Sequence, residues 1–316
     1  MRTAFIQTLT DAAAADRRVT LVVGDLGFGV VTDFAGQFPD QFLNVGVAEQ
    51  NMTSVAAGMA LAGRIVFAYS IANFPTLRCL EQVRNDVCYQ GADVTIVAVG
   101  GGVAYGALGA THHATEDLAV MRAMPGMNVI APGDPLETAA ATRAAAAGIG
   151  PTYLRLGRSN EPTVHAGQLP WSLGRAIRVR EGRDLTLIAT GGMLPTAVAA
   201  AEQLDQSGHA ARVLSMHTLK PLDTQAVLLA ARETGTIVTL EEHSIIGGLG
   251  GAVAETLCEA GLGNVRFQRI GLPSAFTKEV GDQEYLRRHY GLDVESVVRR
   301  VTELFEQGPR AGADIP

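Results

Sequence analysis

Glu49 is the residue of this sequence whose setting most suggests proton chemistry. It lies in Asn44-Val-Gly-Val-Ala-Glu-Gln-Asn-Met52, ahead of the apolar run Val55-Ala-Ala-Gly-Met-Ala-Leu-Ala62. The macrodipole favours a carboxylate at a helix N-terminus, and that alone could account for it. The run that follows, however, reads as a helix buried on nearly all sides. A carboxylate at its mouth then needs a specific partner or a proton, which makes it a candidate acid or base. A second cluster is Phe67-Ala-Tyr-Ser-Ile-Ala-Asn-Phe74, followed by Arg78 and the helix Glu81-Gln-Val-Arg-Asn-Asp86. Aromatics such as Tyr69 and Phe74, leaving the carboxyl end of a parallel strand, either fill the core or stack on a ligand at the sheet edge. The third is Gly106-Ala-Leu-Gly-Ala-Thr-His-His-Ala-Thr-Glu-Asp117, which sets His112 beside His113 in a glycine-rich loop. No further ligand stands at metal-binding spacing, so acid/base work or hydroxyl recognition competes with a plain solvated loop. In the fourth, Tyr153-Leu-Arg-Leu-Gly-Arg158, a strand delivers Arg155 and Arg158 either to an anionic substrate or across to a neighbouring domain.

Other patterns fail on inspection. Gly100-Gly-Gly102 and Gly247-Gly-Leu-Gly-Gly251 lack both the G-x-G-x-x-G spacing and a P-loop Lys-Ser/Thr. Thr190-Gly-Gly192 suits an anion at a helix start or tight packing equally well. There is no G-x-S-x-G elbow for a serine hydrolase. Cys79, Cys88 and Cys258 form no metal spacing; Cys79 and Cys88 fall on one expected helix and read as buried free thiols. A formal net charge of −7 gives no electrostatic reason to expect nucleic acid or an anionic membrane as partner. No signal peptide or membrane-spanning run is legible, so a reducing cytoplasm is the expected compartment.

The elements that must position these groups alternate along the chain. Expected strands are Thr20–Val23, Ile65–Ser70, Val94–Val99, Asn128–Ala131 and Tyr153–Leu156, with helices at Glu49–Ala62, Leu77–Tyr89, Thr115–Met124 and Pro135–Ala147. A second series follows Trp171: strands Leu185–Ala189, Arg212–Met216, Ile237–Leu240 and Val265–Gln268, with helices Leu194–Ser207, Asp223–Glu233, Leu249–Ala260 and Val294–Glu306. This alternation implies the α/β class, with two doubly wound domains over mostly parallel sheets. Gly157–Ser172 reads as the linker, giving domains over residues 1–165 and 173–308. The tail Gly308–Pro316 reads as loose.

Taken together, these features resemble the C-terminal half of transketolases and of 1-deoxyxylulose-5-phosphate synthases, and above all stand-alone transketolase C-terminal subunits. The resemblance rests on Gly46-Val-Ala-Glu-Gln50, Phe74-x3-Arg78-x2-Glu-Gln-Val-Arg-Asn85, Thr111-His112 and Met127-Asn-Val-Ile-Ala-Pro-Gly-Asp134. It continues through Lys220-Pro-Leu-Asp223, Glu241-Glu-His-Ser-Ile-Ile-Gly-Gly248 and Gly271-Leu-Pro273. It implies a thiamine-diphosphate pyrimidine-binding domain followed by a transketolase C-terminal domain. It also implies transfer of a two-carbon ketol unit from a ketose to an aldose. In such enzymes the glutamate matching Glu49 hydrogen-bonds N1′ of the cofactor's aminopyrimidine. Phe74 matches the aromatic packed on that ring, with Tyr69 as helper, and Arg78 a cofactor-proximal arginine. His112 matches the histidine that meets the substrate near its reacting carbons. His113 stands where glutamine is usual, and Arg158 matches an arginine that binds the terminal phosphate.

The departures are specific. An acidic residue that contacts substrate hydroxyls in the family is replaced by Leu108, and a substrate-site histidine by Gly100. Serine and arginine phosphate contacts have no counterpart in Gly27-Phe-Gly-Val-Val31. The Gly-Asp-Gly that anchors diphosphate with Mg²⁺ (or Ca²⁺) is missing: Gly24-Asp-Leu, Gly133-Asp-Pro and Gly281-Asp-Gln do not match it. The resemblance therefore implies a separate N-terminal transketolase subunit that holds the metal and diphosphate, in an α2β2 assembly. Alternatives are the β subunit of a 2-oxoacid dehydrogenase E1 component, a relative of the deoxyxylulose-phosphate synthase, or a regulatory subunit without catalysis.

Overall fold

Strands that are apolar on both faces need helices on both sides, and the chain supplies them in two successive sheets. The structure, a computed structural model, describes residues 1–158 and 160–306. The first half runs α1 (Arg2–Ala15), β1 (Val19–Val23), α2 (Thr32–Gln37), β2 (Phe42–Asn44), α3 (Glu49–Leu61), β3 (Ile65–Ile71), α4 (Leu80–Gln82), β4 (Val94–Val99), α5 (Asp117–Ala123), β5 (Asn128–Ile130), α6 (Pro135–Ala146) and β6 (Thr152–Leu156). The second runs β7 (Ile177–Arg180), β8 (Leu185–Ala189), α7 (Leu194–Gln206), β9 (Ala211–Ser215), β10 (Thr218–Lys220), α8 (Thr224–Thr234), β11 (Thr236–Ser244), α9 (Leu249–Glu259), β12 (Arg266–Leu272), α10 (Gln283–His289) and α11 (Val294–Glu306). β1, β4 and β6 are buried along their whole length, as strands inside a two-sided parallel sheet must be. Side-chain caps fix several helix starts: Asp134 accepts the Glu137 N–H at 2.8 Å for α6, and Asp223 that of Ala226 at 3.0 Å for α8.

The first sheet has the order β10-β5-β6-β4-β3-β1-β2 and the second β12-β11-β8-β9-β7. All pairings are parallel except β7 with β9 and β10 with β5. β10 comes from the second half of the chain yet completes the edge of the first sheet. From there Lys220 donates to the carbonyls of Arg122 and Met124, closing the end of α5. No helix among the described residues is long and apolar enough to cross a membrane.

Several expectations change. Leu77–Tyr89 is not one helix: the short α4 passes into a π-turn, Val83–Cys88. Cys79 is buried, but Cys88 is only half-buried and Cys258 exposed. α3 buries Met52, Thr53, Ala56 and Ala57 on one face and leaves Leu61 62% exposed, so it is a half-buried helix. Within the segment read as the interdomain linker, Asp134 accepts the N–H groups of Val164 and His165, and His165 Nε2 meets Glu137 at 2.7 Å. The short strands β2, β7 and β10 were not expected. The tail Gly308–Pro316 lies outside the described residues.

The two halves meet over buried charge. Arg155, on β6, donates through Nε to Asp117 at 2.7 Å and through Nη2 to the carbonyls of Ala114 (2.9 Å) and Glu242 (3.0 Å). Tyr153 Oη adds a 2.5 Å bond to Asp117. Burial alone would raise the Asp117 carboxyl, but the Arg155 guanidinium and these bonds hold it below the usual range. Across the seam, Glu242 accepts from Val103 N at 2.8 Å and from Arg287 Nε at 2.5 Å. Its neighbour Glu241 accepts the Leu249 and Gly250 N–H groups at 2.7 and 2.8 Å, at the start of α9.

Burial outweighs those two bonds and pushes the Glu241 carboxyl up to about 7 from its ordinary 4.5. Between those values the folded chain binds a proton that the unfolded chain releases, so this group stabilises the fold below the window and loses that contribution as pH rises through it. Burial lowers His217 and His243, whose contributions run the opposite way. Comparing wild type with Glu241→Gln isolates the carboxyl. In chemical denaturation, stability relative to the variant should fall by on the order of 3 kcal/mol across the window. A pH-independent difference would place the titration elsewhere.

Candidate active site

The site is built at the carboxyl edge of the first sheet, where ligands bind in open α/β folds. β2 ends at Asn44, whose Oδ1 accepts the N–H groups of Asp25 and Gly46, both at 3.0 Å. This ties the loop after β1 to the loop before α3 and fixes where the helix starts. Glu49 is the first residue of α3, and the capping position Ala48 offers no side-chain bond. Glu49 therefore sits in the first turn of the helix, where negative charge is favoured.

Glu49 is 3% exposed, and its Oε2 receives Arg78 Nη1 at 2.7 Å. Arg78 is 48% exposed and bridges the buried acid to the surface. Its guanidinium lies over the Phe74 ring, 4.6 Å from the centroid, within cation–π range. His112 meets the same ring edge-on at 5.2 Å, with its Nδ1 3.0 Å from Thr111 Oγ1. Asn73 Nδ2 donates to the Thr111 carbonyl at 2.8 Å and joins the two loops that carry these groups. Glu49, Arg78, Phe74 and His112 thus form one continuous chain of contacts. Among the described residues, the Glu49 carboxylate takes its side-chain hydrogen bond through Oε2 alone.

Other expected residues stand elsewhere. Tyr69 is 1% exposed, in the core and stacked on Phe5 with centroids 6.0 Å apart, so it supports the sheet edge from below. His113 points away from His112 into a small cavity with Leu77 and Tyr290; burial lowers its pKa, and its Nε2 has only a long 3.4 Å contact to the Gly106 carbonyl. The two arginines divide the alternatives open in the sequence. Arg155 is the buried bridge between halves, while Arg158 is exposed and lines a cleft of about 770 Å³. Leu108, 54% exposed, lines the same cleft. Sequence reasoning missed Asn73 and Tyr105, which also line cavities near these loops. Only Asn73's place beside Phe74 was a signal for it.

Residues 1–163 match the family described as "Transketolase, pyrimidine binding domain", and residues 174–297 match "Transketolase, C-terminal domain". A subunit of the apulose-4-phosphate transketolase of Phocaeicola vulgatus is 40% identical over 308 residues, 97% of each chain. A 6-deoxy-6-sulfo-D-fructose transketolase subunit of a Clostridium species is 39% identical over 308 residues, 97% of this chain and 95% of that one. Among solved structures, one described as "Split gene transketolase, inactive beta4 tetramer" superposes with a TM-score of 0.89 at 39% identity, covering 96% of this chain and 98% of that chain. Over both of its domains, then, this chain belongs to the transketolase family.

Proposed function

We propose that this chain is the C-terminal, or β, subunit of a two-chain transketolase that moves a two-carbon ketol unit from a ketose to an aldose. The observation that carries the reading is the buried Glu49 carboxylate, held by an Arg78 whose guanidinium lies over the Phe74 ring. That donor set fits the aminopyrimidine of thiamine diphosphate: a carboxylate acceptor for a protonated ring nitrogen, and an aromatic surface for the ring. When bound, thiamine diphosphate supplies the carbon nucleophile and electron sink for cleaving and forming a carbon–carbon bond beside a carbonyl.

The chain's own residues orient and move protons. Glu49 holds the proton at pyrimidine N1′, and Arg78 fixes the carboxylate in the rotamer that reaches it. Phe74 sets the plane of the ring. His112, seated on the edge of Phe74, is placed to exchange a proton with a substrate oxygen near the reacting carbons. Arg158 meets the anionic end of the sugar. The two relatives are named for a phosphorylated and a sulfonated sugar, which supports a substrate with a terminal oxyanion.

The diphosphate end of the cofactor and its Mg²⁺ belong, in this reading, to a partner chain. Supporting this, the sequence has no Gly-Asp-Gly. Both relatives are named as subunits of their transketolases, and the β-only neighbour is described as inactive. The reading implies an α2β2 assembly with cofactor sites between subunits.

Mixing the chain with an N-terminal subunit, thiamine diphosphate and Mg²⁺ should give ketol transfer between a ketose and an aldose, and neither chain alone should turn over. Tight calorimetric binding of the cofactor by this chain alone would sink the two-chain reading; turnover of pyruvate with a dye acceptor would favour a 2-oxoacid dehydrogenase instead. In the assembled complex, Glu49→Gln should lower kcat by on the order of 10²–10⁴-fold. Light scattering should find its assembly unchanged. Undiminished activity would refute the role given to Glu49.

A further inference from the structure

Gly100 follows β4 with a left-handed backbone, φ +83°, and a Cβ built on it falls inside the ring of Tyr105, against Cδ2 and Cε2. The volume that a side chain at position 100 would fill is occupied by that ring. On the ring's face lies Arg158, its guanidinium carbon 5.6 Å from the centroid and so within cation–π range. Tyr105, Arg158 and Leu108 line the same cleft of about 770 Å³, and Arg158 is its only cation among the described residues. Three of the polar residues lining it have neighbours of their own. Asp282 accepts the Tyr285 N–H at 2.7 Å, Gln283 donates to Glu242 at 2.9 Å, and Glu284 lies 3.9 Å from Arg288.

We propose that Tyr105 is a positioning residue for anion recognition. Its ring, seated where Gly100 leaves room, holds the Arg158 guanidinium toward the cleft, where it receives the tetrahedral oxyanion at the end of the sugar. The inference rests on the transketolase reading above. An arginine on an exposed segment loses rotamer freedom when it binds a ligand, and a ring that already fixes it reduces that loss. Leu108 offers no hydrogen bond to the hydroxyls alongside, so discrimination in this cleft concentrates on the charged end of the substrate.

The test compares a phosphorylated aldose with its unphosphorylated counterpart in the assembled two-chain complex. Tyr105→Leu should raise KM for the phosphorylated sugar roughly three- to tenfold, with KM for the neutral sugar changing less than about twofold. Competitive inhibition by inorganic phosphate should weaken by the same factor. Tyr105→Phe keeps the ring and should stay near wild type. Gly100→Ala, where circular dichroism shows it folded, should displace the ring and match Tyr105→Leu, and the double variant should be no worse than either alone. Equal KM changes for both sugars, or a Phe variant as impaired as the Leu variant, would overturn the proposal. Absence of ketol transfer by the wild-type complex would instead count against the functional reading. The calorimetric affinity of the complex for inorganic phosphate would then decide the role of Tyr105, with equal affinity in wild type and Tyr105→Leu ruling it out.

Discussion

Arg155 can remain buried at the seam between the two sheets because its Nε and Nη2 meet acceptors on both sides of it: Asp117, the Ala114 carbonyl and the Glu242 carbonyl. Stripping water from an arginine is costly, and charge-assisted pairing of this kind offsets it. The geometry that satisfies Arg155 also fixes what surrounds it. Asp117 anchors the start of α5 and the end of the histidine loop, while Glu242 holds Val103 at the loop's beginning and Arg287 on α10. The loop that carries Tyr105, Leu108 and His112 is therefore gripped at both ends by one ionic cluster shared between the halves.

The triple glycine after β4 becomes intelligible in the same terms. A Cβ on Gly101 would strike Arg155 Nε at 2.5 Å, and one on Gly102 would strike Glu242 Oε1 at 2.5 Å. With Gly100 under Tyr105, three consecutive residues give way to three side chains from different parts of the chain. The run resembles a phosphate loop in composition, yet its glycines serve close packing around the seam.

The family, the α/β class and the grouping of the principal candidate residues were legible because they rest on local signals. Glu49 before an apolar run and Phe74 with Arg78 four residues on are patterns of spacing, and the structure brings them into contact. Tyr69 and His113 illustrate what spacing cannot convey. Which way each faces is set by packing against Phe5 or the second half of the chain. Tyr105 carried no signal, since its role depends on an empty position five residues earlier and on Arg158 far along the sequence. β10 escaped for another reason: three residues are too few to show periodicity, and their pairing is decided by tertiary contact alone.

The swap of β10 onto the first sheet has a consequence for the order in which the chain is made. As residues leave the ribosome, the first sheet can assemble through β6 while the outer edge of β5 still lacks its neighbour. That open edge persists until residue 220 emerges, during synthesis of the second half, and unpaired edges invite pairing with other chains. The first half is thus a nascent domain that waits for its last strand, and its sheet is complete only once much of the second half has been translated.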